Sequence, residues 1–337
     1  MVLKRLAAVA FAVLIVAGAF WVRDLLDEGG DGSGPGNGAS TTTTAVQRRT
    51  VVCSPELAAA CDALAAGGLA TTVVEPAGTT AARLERTTAA ADVPDAWLTL
   101  DPWPAMVDDV RGRAQLDPLF SDPARLASSA LAVVGSANRL DVLDAHCGNQ
   151  ATWRCIGEVA GRPWADLGGQ PAWQTVKPGH ASPVDSASGL LVFGNAVVSY
   201  FGRTDVSAAD LADDGFRSWV RQLERAVPNF GGPQGTPYEQ WNLPVPSFDL
   251  VGTTGAEITA TPPRPDKQAR VFYPSPMGRA DAVIVTSGGR APDEAMTAAA
   301  RSALTASGWD APADGAAEGL PSVGTLEALQ QVWEEVA

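Results

Sequence analysis

The sequence predicts an α/β fold with parallel strands, because strand-like and helix-like segments alternate at the start of its folded part. The predicted strands are the apolar segments RTVVC at 49–53, ATTVVE at 70–75 and DAWLTL at 95–100. Amphipathic segments at 55–66 and 79–88 are the predicted helices between them. A β-α-β-α-β order is typical of parallel strands that are joined by right-handed crossovers.

Composition allows a large globular protein and excludes some partners. The chain has 337 residues, of which 46% are hydrophobic, enough for two domains or one unusually large one. Its formal net charge is −14. Nucleic acids and anionic lipid surfaces bind basic faces, and this composition does not supply one. We therefore expect neither of them as a partner.

The first 26 residues have the pattern of an export segment. Two basic residues, Lys4 and Arg5, precede the uncharged apolar run at 6–22. This run is either a cleaved signal peptide, with the small residues 17–19 as the cleavage site, or a retained membrane anchor. The apolar run continues past residue 19, which favours the anchor. Both alternatives predict an extracytoplasmic protein, either tethered to the cell membrane or secreted.

Residues 27–47 are predicted to be a flexible linker. The segment DEGGDGSGPGNGASTTTT at 27–44 has almost no apolar side chain that could be buried. The folded part of the chain is therefore expected to begin near Val46.

The cysteines agree with export. They form two close pairs in the sequence, Cys53 with Cys61 and Cys147 with Cys155. Four cysteines allow three disulfide connectivities, and two equal local loops favour pairing within each pair. A zinc site is the alternative, but the intervals are too long for usual ligand pairs, and only His146 and His180 could assist. We predict two disulfides, no metal and no cofactor.

The segment at 177–202 is predicted to be a loop that leads into a buried helix. Asp185, Ser186 and Ser188 carry short oxygen-bearing side chains suited to an N-cap, and the following residues are largely apolar. A helix N-terminus presents unpaired N–H groups and about half a positive charge, so this loop could hold an anionic or polar group. Alternatively, these residues only cap a core helix.

The remaining elements continue the α/β pattern. Predicted strands lie at 128–134, 174–177, 248–252, 269–273 and 282–286, and predicted helices lie at 216–227, 293–307 and 325–336. The strands at 269–273 and 282–286 are a candidate antiparallel pair. The segment at 140–164, which contains the second cysteine pair, is predicted to be irregular.

Seven regions of the chain, taken in order, carry a resemblance to a known family. They are VVCSPEL, DAWLTLDPWP, SSALAVV, WADL with DSASGLLVFG, FDLVGTTGAE, VFYPSP and ADAVIVTSG. With these segments the chain resembles the bacterial extracellular solute-binding proteins of the type II periplasmic-binding-protein fold. The resemblance covers Val46 to Ala337.

The resemblance implies two α/β lobes joined by crossing strands, with a ligand cleft between them. Carried onto this chain, lobe one comprises 48–130 and 266–337, and lobe two comprises 131–265. Ligands of open α/β sheets bind outside the carboxyl ends of the strands. The expected ligand contacts are therefore Ser54, Asp101, Ser128, Ser129, Asp185, Ser186, Ser188, Thr253, Thr254 and Glu257. Capping, turn formation or a solvated position is the structural alternative for each of them.

No catalytic motif is present. The sequence contains no Gly-x-Ser-x-Gly, no Ser-x-x-Lys, no phosphate-binding loop that ends in Lys and no His-Glu-x-x-His. His180, Ser182 and Asp185 are too close in sequence for the geometry of a catalytic triad. We therefore predict a non-enzymatic protein that captures a small polar solute, with an ABC-type permease as its partner. The alternative is a membrane-tethered binding or scaffold module of the cell envelope with the same fold.

Overall fold

The computed structural model describes residues 49–148, 150–228, 235–315 and 319–336, and the predicted export segment and linker lie outside these residues. The strands are β1 (Arg49–Cys53), β2 (Ala70–Val74), β3 (Ala96–Leu100), β4 (Ala124–Ser136), β5 (Pro178–Gly179), β6 (Leu250–Thr254), β7 (Ala269–Phe272) and β8 (Arg279–Thr286). The α-helices are α1 (Ala58–Ala66), α2 (Ala77–Leu84), α3 (Trp103–Arg113), α4 (Ala137–His146), α5 (Trp153–Val159), α6 (Ala187–Phe201), α7 (Asp214–Ala226), α8 (Pro237–Trp241), α9 (Gly255–Ala260), α10 (Glu294–Ala306) and α11 (Val323–Val336).

The strands follow the order β2-β1-β3-β8-β4-β6-β5, and β7 also pairs with β4. Strand β1 lies between β2 and β3 and is parallel to both. The predicted β-α-β-α-β start of the fold is therefore confirmed. Strand β8 is antiparallel to both β3 and β4, so it joins this parallel group to the rest of the sheet.

Strand β4 is the longest strand and belongs to both ends of the sheet. Residues 124–130 pair with β8, whereas residues 131–136 pair with β6 and β7. We call β1, β2, β3, β8 and residues 124–130 the first half-sheet, and β5, β6, β7 and residues 131–136 the second half-sheet. The change of partner falls between Ala130 and Leu131, where the resemblance puts its lobe boundary.

Helix α6 is the most buried helix of the described chain. Its residues from Ala187 to Ser199 are buried with the exception of Ser188, and Leu190, Phe193 and Val197 are fully inaccessible. Burying an aliphatic or aromatic side chain of this size contributes about 1.5–3 kcal/mol. The predicted buried helix that begins near Ser186 is therefore confirmed.

The prediction of irregular structure at 140–164 was wrong. Helix α4 begins directly after β4 and buries Leu140 and Leu143, and helix α5 buries Trp153 and Ile156. These helices have ten and seven residues, too few turns to reveal a 3.6-residue period in the sequence.

Two strand predictions were also wrong. Strands β7 and β8 do not pair with each other, because residues 273–278 cross from the second half-sheet to the first instead of turning back. The predicted strand at 174–177 is replaced by β5, since Gln174 has a positive φ of 62° and Thr175 forms only an isolated bridge.

Both predicted disulfides are present, Cys53–Cys61 and Cys147–Cys155, and each has a sequence separation of 8. They differ in their surroundings. Cys53 and Cys61 are fully buried beside the first half-sheet, whereas Cys147 and Cys155 are partly exposed between α4 and α5. Among the described residues, no helix is both long and apolar enough to cross a membrane.

The equal loops permit a controlled comparison of the two disulfides. Each should restrict the unfolded chain by about 2–3 kcal/mol, because this contribution depends on loop length. We expect replacing Cys53 and Cys61 by Ala to cost more than this, since the loss of buried sulfur leaves a cavity. Replacing Cys147 and Cys155 is the matched control. Urea unfolding of both double variants measures the difference, and a greater loss for the control pair would contradict the expectation.

Candidate ligand-binding site

The N-terminus of α6 is capped by a carboxylate from a distant part of the chain. Oε1 of Glu56 accepts hydrogen bonds from Ser186 Oγ at 2.7 Å, from the Ser188 backbone N–H at 2.9 Å and from Ser188 Oγ at 3.1 Å. Ser186 Oγ also accepts the backbone N–H of Gly189 at 2.9 Å, as an N-cap residue does. The contact joins the segment after β1 to a helix that packs on β6 of the second half-sheet and also on β3 and β8 of the first.

Glu56 is held in place by the end of β1. The backbone N–H of Ser54 donates to the carbonyl oxygen of Leu98 on β3 at 2.9 Å. The buried Ser54 hydroxyl is also hydrogen-bonded to that of Thr99 at 2.7 Å. Together with the Cys53 disulfide, these bonds fix the turn in which Glu56 lies. Ser54 therefore positions Glu56, and its own hydroxyl is bonded to β3.

The segments after β2 and β3 reach the same turn of the chain. The backbone N–H of Gly78 in α2 donates to the carbonyl oxygen of Asp185 at 3.1 Å. A Cβ atom at position 78 would overlap the carbonyl oxygen of Val184. Trp103 Nε1 in α3 lies 3.4 Å from the carbonyl oxygen of Ala187. The carboxyl ends of all three parallel strands therefore lead to the N-terminus of α6.

A second polar cluster lies where β6 continues into α9. The hydroxyls of Thr253 and Thr236 both donate to the carboxylate of Glu257. The backbone N–H of Glu257 donates to Thr254 Oγ1 at 3.2 Å, so Thr254 caps α9. Thr253, Thr254 and Glu257 are thus brought together, as the sequence predicts, and Thr236 joins them from the segment before α8.

The carboxyl group of Glu257 also interacts electrostatically with Glu56. Burial raises the pKa of Glu257, the hydrogen bonds from Thr236 and Thr253 oppose this rise, and the neighbouring carboxylates of Glu239 and Glu56 add to it. The cluster at β6 and the N-terminus of α6 are therefore close enough to interact electrostatically. The region around both is acidic.

The two serines predicted on β4 have different partners. Ser129 Oγ accepts the backbone N–H of Ala256 at 2.8 Å, so it belongs with the cluster at the start of α9. Ser128 Oγ donates to the carbonyl oxygen of Ala311 at 2.8 Å and thereby ties β4 to the segment after α10. The structure therefore brings Ser129, and not Ser128, to the second polar cluster.

The two remaining predicted contacts are aspartates. Burial raises the pKa of Asp101, and the nearby Asp281 carboxylate raises it further, while Arg125 opposes the rise. Asp185 is exposed, and its carboxylate accepts the hydroxyl of Ser182 at 3.0 Å. Neither carboxylate is bonded to the α6 N-terminus. For all ten predicted residues, ligand contact stays a prediction.

The sequence analysis missed Glu56, Gly78 and Thr236. Glu56 appears in the sequence only as an acid in the first turn of a helix, and its partner Ser186 lies 130 residues further along the chain. No local pattern indicates such a contact. The glycine at position 78 was the one feature of the sequence that could have indicated such a contact, because glycine lacks a Cβ atom and permits a close approach of two backbones.

The loop before α6 is anchored by a buried ion pair. His180 Nε2 lies 2.8 Å from Glu224 Oε1, and His180 Nδ1 lies 2.9 Å from the carbonyl oxygen of Ala181. Both ring nitrogens face oxygen acceptors, which suits the doubly protonated ring. Burial alone would lower the pKa of His180, but the Glu224 carboxylate outweighs it and the pKa is raised.

These features define the fold as that of the two-lobed periplasmic binding proteins. Among solved structures, the chain is similar to the periplasmic binding protein AfuA from Actinobacillus pleuropneumoniae with fructose-6-phosphate bound. The TM-score is 0.50 at 11% identity, over 86% of this chain and 97% of that chain. The similarity at this identity concerns the fold.

Two further solved structures have lower scores. A periplasmic thiamin-binding protein has a TM-score of 0.49 at 12% identity, over 85% of this chain and 94% of that chain. The sulfate-binding protein SubI from Mycobacterium tuberculosis has a TM-score of 0.46 at 14% identity, over 77% of this chain and 85% of that chain. All three are described as binding proteins. No protein-family model and no curated protein matches the sequence.

The raised pKa of His180 predicts a pH-dependent contribution to stability. A group whose pKa is raised on folding stabilises the protein fully below its unfolded value of about 6.5, and this contribution is lost as the pH rises through the folded value. We expect the stability difference between wild type and His180→Gln to be largest at low pH and to shrink as the pH rises. Thermal unfolding between pH 5.5 and 9 measures it. The exposed His146, as His146→Gln, is the control, and a difference that grows with pH would contradict the expectation.

The close approach at Gly78 predicts a steric effect. The added methyl group of Gly78→Ala would overlap the backbone at Val184, so the contact between α2 and the loop should open at a cost of about 1–3 kcal/mol. Gly112→Ala in α3 is the matched control, because its Cβ would meet nothing within 4 Å. It should be neutral or stabilising by up to about 1 kcal/mol. Urea unfolding and small-angle scattering measure both, and equal behaviour of the two variants would refute this account.

Proposed function

We propose that the protein is an extracytoplasmic solute-binding protein that captures a small polar solute between two lobes. One observation carries the proposal. The segments that follow three parallel strands of the first half-sheet converge on the N-terminus of α6, a helix that packs on β6 of the second half-sheet and also on β3 and β8 of the first. Ligands of open α/β sheets bind at the carboxyl ends of strands, and helix N-termini supply hydrogen-bond donors. The similarity to AfuA supports the proposal at the level of the fold.

The proposed lobes are residues 48–130 with 266–337 and residues 131–265, except that β7 at 269–272 pairs with the second half-sheet and therefore belongs with lobe two. The chain passes between the half-sheets within β4 and again at 273–278, so these two passages are the proposed hinges. Two-lobed proteins close by rotation about a few such connecting residues. The proposed ligand contacts are the ten predicted residues, among which Ser186 and Ser188 lie where the three segments converge.

We further propose that the segment at 1–26 exports the chain and either tethers it to the membrane or is cleaved from it. An ABC-type permease is the proposed partner of the closed, loaded protein. The alternative, a binding or scaffold module of the cell envelope, uses the same fold without transport. A solute that binds tightly and closes the lobes favours uptake over this alternative.

A thermal-shift panel on the full chain tests the proposed function. Amino acids, polyamines, sugars, sugar phosphates and inorganic oxyanions are added singly, and a solute at 100 times its dissociation constant should stabilise the protein by about 2.7 kcal/mol. We expect Ser188→Ala, which removes a hydrogen bond that orients Glu56, to weaken binding of the identified solute by about 1–3 kcal/mol, measured by calorimetry. Ser188 is preferable to Ser186, because Ser186 also caps α6 and its loss would reduce stability.

The control for this experiment is Ser302→Ala, which removes an exposed hydroxyl on α10. It should leave solute affinity unchanged. A panel in which no solute shifts the unfolding temperature would count against solute binding and favour the envelope module. Equal weakening by both serine variants would remove the α6 N-terminus from the proposed site.

A further inference from the structure

We propose that Glu56 determines which solutes the cleft accepts: its carboxylate occupies the N-terminus of α6, so the cleft rejects oxyanions and selects solutes that donate hydrogen bonds. The proposal rests on the proposed function, because it concerns the ligand of the same cleft. The N-terminus of α6 alone would predict an anionic ligand, since a free helix N-terminus favours anions, whereas the proposal excludes oxyanions.

The donors at the start of α6 are already in use. Oε1 of Glu56 accepts from Ser186 Oγ, from the Ser188 backbone N–H and from Ser188 Oγ, at 2.7–3.1 Å. Ser186 Oγ in turn satisfies the backbone N–H of Gly189. A carboxylate oxygen offers about two lone pairs, so three donors saturate it. An incoming sulfate or phosphate would have to displace Glu56 to reach these groups.

The charge around this turn opposes an oxyanion as well. Glu257 interacts electrostatically with Glu56, and Glu239 lies close to Glu257. A solute anion would thus meet at least one further carboxylate after displacing Glu56. Like charges brought together in a partly desolvated region repel each other strongly.

The second carboxylate oxygen of Glu56 independently indicates that a hydrogen-bond donor is missing at this position. Oε2 is buried and has no hydrogen-bond partner in the part of the chain that the structure describes. A buried carboxylate oxygen without a donor is costly, and natural proteins normally satisfy such atoms. A solute with an amine, guanidinium or hydroxyl donor would supply the missing bond without displacing Oε1 from α6.

Sulfate binding to the full chain, measured by calorimetry at constant ionic strength with chloride as the balancing anion, tests the proposal. We expect wild type to show no sulfate-specific binding. Glu56→Ala should free the N–H and hydroxyl donors of α6 and bind sulfate at least tenfold more tightly than wild type. Glu294→Ala is the matched control, because Glu294 is also an acid in the first turn of a helix, α10, but is exposed to solvent. It should behave like wild type.

Glu56→Gln is a second test of the proposal that can be used if the alanine variant does not fold. It keeps the size of the side chain and removes its charge, so sulfate affinity should rise above that of wild type, though less than in Glu56→Ala. Wild type that binds sulfate as tightly as both variants, or two folded variants that bind none, would overturn the proposal.

The outcome is separable from that of the proposed function. If the solute panel finds no ligand for wild type while Glu56→Ala gains sulfate binding, solute capture fails and the role of Glu56 stands. If wild type binds an organic solute and Glu56→Ala gains nothing, capture stands and the role assigned to Glu56 fails.

Discussion

The contact between Glu56 and the first turn of α6 is the interaction on which the rest of the site depends. The first N–H groups of a helix have no partner within the helix and must find one elsewhere when they are buried. Helix α6 is buried along nearly its whole length, so its first turn depends on side-chain acceptors. Ser186 supplies one and Glu56 the other. The capping requirement of one helix thereby links the segment after β1 to the first turn of α6.

The loop that carries these residues is fixed by two charge pairs, one buried and one partly exposed. His180 with Glu224 holds its middle, and Asp249 holds its beginning, because Asp249 accepts the Lys177 backbone N–H at 2.9 Å and pairs with Arg139. Such pairs contribute little net stability, since desolvation offsets attraction, but they allow few alternative geometries. The donors of Ser186 and Ser188 are therefore held in position before any solute arrives.

Local patterns in the sequence predicted the elements that have a clear apolar periodicity. They could not predict contacts between residues that are far apart in the sequence. The β-α-β-α-β start, the buried helix after Ser186 and both disulfides followed from spacing and burial alone. Helices α4 and α5 were missed because they are short, and the pairing of β7 was wrong because it depends on where β4 changes partner. Glu56 could not be assigned, because its role is set by a serine 130 residues away.

The contact of the Glu56 carboxylate with α6 affects the affinity of the protein for a solute as well as its specificity. Far from the hinges, Glu56, Gly78 and Trp103 make polar contacts with the turn before α6. Thr325 and Gln330 of α11 likewise donate to the carbonyl oxygens of Val206 and Pro183. If a solute binds only the open form, its apparent affinity is reduced in proportion to the fraction of molecules that are open. A solute that displaces Glu56 must also replace its three hydrogen bonds. A donor that binds Oε2 avoids the second cost, so the same geometry that excludes oxyanions favours solutes that bind beside the carboxylate.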